Sequence, residues 1–376
     1  MGMVEVHTPM VIDGDTDVIG QDTILHAAHF NGPAVIVVRG NNVRLTNFSI
    51  DGNRDTLATG SGLPDYRTPF ARFTRNNGVL ADGIDGLRIE NVGFQDIAGF
   101  AVLVSRSRHV SIDRVHVADS GGLDAAGHDN TTGGILLEEG TSDFSVTHCD
   151  LWRVRGNGIW THSLYTSPRN ARGSIAWNGF WDIGRDAIQV GHATEVRVER
   201  NHGIDIGAEK AGAIPVGLDT AGNVDRSIYA HNSFTAIAGK CIDLDGFHDG
   251  VVTFNVCLTM ANFGIVMNNS NPDMRSQNIQ VTENTIDSPR YGGIFVIGTG
   301  HLIAHNRISN VNTSHSGSDL LASGIYLGLR AERPDPAQGN TIEDNQITGY
   351  EMRQHCIGAA PGILPSWNVV RDNQCR

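Results

Sequence analysis

Apolar residues recur along the chain in a short motif, small–apolar–x–apolar. Its first apolar members are Val35, Val79, Val102, Ile135, Ile159, Ile188, Leu218, Ile242, Ile265, Ile294, Ile325 and Ile357. An alternation of period two predicts a β-strand at each, because successive strand side chains point to opposite faces. The shortest interval between motifs is 23 residues, and the longer ones carry loops. A second strand is predicted after each, from apolar pairs five apart: Leu45/Ile50, Ile89/Phe94, Ile112/Val117, Val198/Gly203, Val252/Cys257, Val281/Ile286, Ile303/Ile308 and Ile342/Ile347. No helical periodicity is sustained over ten residues or more.

An asparagine follows in a fixed register in the later repeats, as Asn178, Asn201, Asn232, Asn255, Asn284, Asn306, Asn345 and Asn373. Inward-turned asparagines stacked at a tight corner satisfy the backbone there and bond to one another. The pattern predicts an all-β, single-stranded parallel β-helix of about twelve coils, with long loops over one face. It is read as a single domain over residues 1–376, with 1–32 an irregular N-terminal coil or cap and 51–77 a large loop insertion. A leucine-rich solenoid would need its own leucine spacing, and a propeller four strands per repeat. The sequence resembles the right-handed parallel β-helix superfamily of pectinases and related proteins over nearly its whole length. The right hand is what that resemblance implies.

If the motif residues point inward, those one and three positions later point outward. The outward stripe then holds Glu138, Trp160, His162, Gln189, Asp219, Asp243, Asp245, Asn268 and Tyr326. An aromatic platform, amides and a central group of acids make a palette for binding sugar hydroxyls, with Lys240 and His192 as further binding residues. Small residues before each inward apolar position leave room for a ligand near the backbone. The place of Asp219 depends on register: Leu218 must be the inward residue and not Ile214.

Glycosidic bond cleavage needs one carboxyl as acid and another as base or nucleophile. Crowded carboxylates raise one another's pKa, so that one stays protonated. Asp243 is the expected base or nucleophile, and Asp219 or Asp245 the acid. The sequence also resembles the polygalacturonase-like glycosidases in Asn130-Thr131-Thr132-Gly133-Gly134, Gly156-Asn157-Gly158-Ile159 and Gly191-His192. The catalytic aspartates of that family are missing from these positions, so the resemblance points to acids elsewhere on the coils. The expected function is therefore a glycoside hydrolase or fructan-type transferase acting on a poly- or oligosaccharide, with no cofactor. One alternative is a Ca²⁺-dependent polysaccharide lyase or uronate epimerase, with Ca²⁺ on Asp219, Asp243 and Asp245. Another is a non-catalytic, glycan-binding or tailspike-like rod, of a kind that often forms homo-trimers.

The formal charge of −13, with Lys210 and Lys240 the only lysines, argues against nucleic acid or anionic membranes as partners. No apolar run reaches the ~20 residues of a membrane span. No signal peptide is read, and a secreted or periplasmic location is the expectation for the native protein. The five cysteines match no zinc spacing. They are expected to be buried, and Cys356 and Cys375 could pair if the protein is exported. Asp124, His128 and Asp129 crowd the loop before Glu138 and read as turn chemistry.

Overall fold

The computed structural model describes all residues except Met1, 57–63, 124–126, 128, 208–213, 271–273 and 330–334. The chain forms two compact units. One holds the residues up to Val196 with Gly207, and the other holds Arg197–Ile206 and Ile214–Arg376. Each unit is a stack of coils whose strands pair in parallel with the equivalent strands one coil away.

In the first unit the stacked first strands are Ala34–Val38, Asn77–Asp82, Phe100–Ser105, Gly133–Glu138 and Asn157–His162. The inward column runs Val79, Val102, Ile135, Ile159 and Ile188, as the alternation predicts. Below Val79 it continues through Ile36 and not Val35. Ala34–Val38 is apolar on both faces, so its period of two carries no information about register. In the second unit Leu218, Ile242, Ile265, Ile294, Ile325 and Ile357 pair in one column. Leu218 is fully buried and Ile214 is 56% exposed, which settles the register. Each fully buried isoleucine contributes about 2–3 kcal/mol over its exposed state.

Two features differ from the sequence pattern. Leu45/Ile50 and Ile89/Phe94 each lie in one strand as expected, but the later pairs are split between two short strands, so most coils have three. In the second unit Val252 sits in Val251–Thr253 and Cys257 in Val256–Met260. Between them Phe254 takes a left-handed backbone (φ 54°) immediately before Asn255, and His231, Glu283, His305, Asp344 and Asp372 do the same before their asparagines. The N-terminal residues are also more regular than a cap. Gly2–Val6 and Thr16–Ala27 pair in parallel, and the latter pairs onward to Val43–Asp51. A register shift between Ile19 and Thr23 breaks the alternation there, which hides the strand in the sequence.

The asparagine ladder is continuous through the second unit. Nδ2 of Asn201, Asn232, Asn255, Asn284, Asn306 and Asn345 each donates to Oδ1 of the next, at 2.8–3.0 Å. From Asn232 on, each also bonds a carbonyl at the preceding corner, as Asn284 does with Val252 O at 2.9 Å. In the first unit Asn178 accepts from Cys149 N–H at 2.9 Å in the same manner. A second ladder joins His301, Asn340 and Asn368. His301 takes an asparagine's place, its Nδ1 accepting from Ile279 N–H (3.1 Å) and its Nε2–H donating to Ile297 O (2.8 Å).

That geometry requires neutral imidazole, and burial holds the His301 pKa down to about 4. The unfolded chain takes up the proton near pH 6.5 and the folded chain does not until near 4. Stability is therefore fully present above pH 6.5 and lost as pH falls toward 4, by an amount on the order of 3 kcal/mol. In urea unfolding of H301N and wild type, the difference between the two is expected to change by about that amount between pH 7 and pH 4.

Two disulfides, Cys241–Cys257 and Cys356–Cys375, have Cα separations of 5.8 and 5.7 Å. Cys149 is a buried free thiol, its pKa pushed up to about 12 by burial. Cys241–Cys257 ties Lys240–His248 to Val256–Met260 across the coil interior, closing a loop of 16 residues. Closing such a loop restricts the unfolded chain, and C241A/C257A is expected to lower stability by about 2–4 kcal/mol in denaturant titrations.

Candidate functional site

In the second unit the strands Val216–Asp225 and Lys240–His248 lie in register, with Leu218 beside Ile242 and Asp219 beside Asp243. Adjacent parallel strands stand about 4.8 Å apart, so the two aspartates are neighbours on one outward column. They are 9% and 6% exposed. Lys240, three residues before Asp243, forms an ion pair with it. This ammonium favours the charged carboxylate at Asp243.

Asp245 is two residues further along the same strand and level with Ala221 and Asn268. Ser270 donates to it through both N–H and Oγ–H, at 2.5 Å each. Asn268 in turn accepts from the N–H of Asn269 at 3.0 Å. Asp245 and Asn268 thus anchor the start of the loop that follows the strand.

The column that holds Asp219 and Asp243 continues through Val266, Phe295 and Tyr326. Tyr326 stacks on Phe295 with ring centres 5.8 Å apart, and Phe263 meets Phe295 edge-on at 6.4 Å. Phe263 and Phe295 are half-buried. The second unit therefore carries an acid pair with a cation and an aromatic surface in the same outward column.

The first-unit members of the predicted stripe are placed differently. Glu138 is 0% exposed. Its carboxylate accepts from the N–H groups of Phe70 (2.9 Å) and Ala71 (2.8 Å) at the start of the short helix Phe70–Phe73. Phe70 packs edge-on against Phe100, Trp160 and His162. The Arg- and aromatic-rich insertion thus packs onto the coils here, and Glu138 anchors it instead of facing a ligand. Gln189 is 8% exposed and bonds Asn157 and Asp186. His192 is half-buried against the ring of Tyr165. The alternation puts Glu138, Trp160, His162 and Gln189 on the outward face, but docking of the insertion is non-local and leaves no trace in that pattern.

Burial pushes the Glu138 carboxyl up to about 7 against its two backbone bonds, and neighbouring Glu139 adds to the rise. His162 is held down to about 4 by burial. His192 is also near 4, through burial first and then the charges of Arg169 and His162. Glu139 was not singled out in the sequence. Its left-handed backbone (φ 56°) lets its carboxylate share a side with Glu138, and the following Gly140 is the one signal of that turn.

The small residue before each inward position serves the interior. A Cβ on Gly264 would stand 2.6 Å from both Gly293 O and Ile286 Cγ2. These glycines let neighbouring coils close on a core side chain, so they are no sign of ligand approach. Asp129 is buried and accepts from Gly156 N–H at 3.0 Å, while Asp124 and His128 lie outside the described residues.

No protein-family model matches the sequence, and no curated protein matches it. Solved structures do. The GH136 lacto-N-biosidase from Eubacterium ramulus is similar at 14% identity and TM-score 0.56, over 90% of this chain and 62% of that one. The DFA-IIIase from Arthrobacter chlorophenolicus A6 is similar at 15% and 0.51, over 90% and 71%. The periplasmic alginate epimerase AlgG is similar at 13% and 0.57, over 97% and 76%. The chain thus spans less than two thirds of the length of the lacto-N-biosidase it matches. With its parallel, in-register strands, this chain has the right-handed parallel β-helix fold that these proteins share.

Proposed function

We propose that this chain is a carbohydrate-active enzyme that cleaves or transfers a glycosidic bond of a poly- or oligosaccharide. The observation that carries the reading is the register that sets Asp219 beside Asp243, with Lys240 on Asp243. Asp243, charged through its lysine, acts as nucleophile or base. Asp219, at 9% exposure beside that negative charge, acts as the acid. The half-buried rings of Phe263 and Phe295 offer apolar surface to the C–H faces of a sugar.

The likeness to a lacto-N-biosidase and a DFA-IIIase agrees with this reading. Two disulfides in one chain favour an oxidising compartment, and we read the protein as secreted or periplasmic. The test is incubation with a panel of neutral and acidic glycans, followed by product analysis. New reducing ends or transfer products from a neutral glycan are expected. An unsaturated or C5-epimerised uronate as the only product would overturn the reading in favour of a lyase or epimerase.

A further inference from the structure

The cluster beneath the helix Phe70–Phe73 has no part in that chemistry. Glu138 and Glu139 are adjacent in sequence and 0% and 5% exposed. Each carboxylate already takes two hydrogen bonds. Glu138 accepts from the N–H groups of Phe70 and Ala71. Glu139 accepts from Leu164 N–H at 2.8 Å and from the Ser167 hydroxyl. Among the described residues, neither forms an ion pair with lysine or arginine. The nearby Arg106 is engaged by both oxygens of Asp82. Two neighbouring buried carboxylates without a countercharge are costly, by several kcal/mol for each ion.

His162 supplies an independent observation. It pairs in register with Glu138 on the next coil, and its Nδ1 is buried with no hydrogen-bond partner. A buried, unpartnered imidazole nitrogen is a donor group without its acceptor or a lone pair without its acid. One ligand atom from each of Glu138, Glu139 and His162 lies within 4.8 Å of the others. Metal bonds of about 2.1 Å need separations of at most ~4.2 Å, so the side chains would close by about half an ångström.

We propose that Glu138, Glu139 and His162 bind one divalent transition-metal ion, which fastens the helix Phe70–Phe73 over the coils. The cation supplies the charge that the two carboxylates lack, and the imidazole lone pair becomes a ligand. An imidazole with two carboxylates suits Zn²⁺ or Mn²⁺, whereas Ca²⁺ prefers oxygen ligands alone. Because Glu138 also holds the backbone N–H groups of Phe70 and Ala71, metal on its carboxylate couples directly to the covering segment. This inference concerns binding only and stands independently of the proposed glycan chemistry.

The test is calorimetric titration of the chelator-dialysed protein with Zn²⁺, Mn²⁺ and Ca²⁺ alone, with thermal unfolding measured alongside. One zinc ion per chain and a rise in Tm are expected for wild type. Affinity should fall at least ~100-fold in H162Q and in E139Q, which keep side-chain volume, and should be unchanged in the surface variant H148A. Should either variant fail to give the wild-type circular dichroism spectrum, the other carries the test, with Co²⁺ absorption of wild type as a direct report of imidazole ligation. Absence of saturable zinc binding to wild type would overturn the proposal. So would wild-type zinc affinity in both H162Q and E139Q, loss of binding in H148A, or tighter binding of Ca²⁺ than of Zn²⁺.

Discussion

Replacing Asp243 by asparagine is expected to lower kcat/KM on a glycan that the wild type turns over by about 10³-fold or more, with the fold intact. The substitution keeps shape and removes the charge that Lys240 holds in place. A carboxamide is neither a nucleophile nor a base at neutral pH, so the loss falls on the chemical step and KM changes little. D219N should be as damaging on glycosides with poor leaving groups. It should recover substantially on an aryl glycoside whose leaving group needs no proton. D245N is expected to cost less than about tenfold, because Asp245 is bound by Ser270 and acts on the loop. Steady-state kinetics of the three variants separate these roles. Equal losses in all three would mean that the strand is damaged as a whole. Breaking a partly buried ion pair also leaves Lys240 without its anion, so D243N requires a circular dichroism and unfolding control.

The largest stability effect is expected at the ladder. Asn284 is 0% exposed and its amide makes four bonds. It accepts from Asn255 N–H and Nδ2, and it donates to Val252 O and Asn306 Oδ1, all at 2.9–3.0 Å. Asn284→Ala takes a partner from four buried polar groups; Asn255 Nδ2 and Asn306 Oδ1 keep one other bond each, while Asn255 N–H and Val252 O lose their ladder partner. With each such group costing about 1–3 kcal/mol, and some relaxation, a loss of roughly 4–5 kcal/mol is expected. Gln346→Ala, exposed on the strand Gln346–Gly349, should stay within about 0.5 kcal/mol. Guanidinium unfolding of both variants gives the comparison. A change below about 1 kcal/mol at Asn284 would mean that the ladder bonds exchange freely with solvent.

The parts of this structure that follow local rules are legible in the sequence. The strand alternation places Ile242 and Leu244 inside and Asp243 and Asp245 outside without any knowledge of neighbours. The eight asparagines mark the corners because each sits in a fixed register with a buried apolar residue. The position of Asp219 needed one long-range fact, the pairing of Leu218 with Ile242, and the sequence offered Ile214 as a competitor.

Features that depend on distant contacts were not legible. Cys241 and Cys257 meet only because first and third strands of one coil face each other across the core, and their spacing alone does not say so. Glu138, Trp160 and His162 alternate outward as expected, yet a helix from a remote insertion covers them. The two clusters look alike in sequence, since both are carboxylates on outward strand positions. What distinguishes them is their partners, the backbone N–H groups of Phe70 and Ala71 at Glu138 and the Lys240 ammonium at Asp243, which only the fold supplies.

In the proposed mechanism Asp219 and Asp243 act as a pair at the spacing of adjacent coils. Carboxyl groups about 5–5.5 Å apart cleave with retention, and those about 6.5–9.5 Å apart with inversion. Proton NMR of the first product formed from a glycan that the enzyme turns over reads this separation directly. The initial anomer is expected to keep the configuration of the substrate. An initially inverted anomer would contradict that mechanism, and would move the acid from Asp219 to a more distant group.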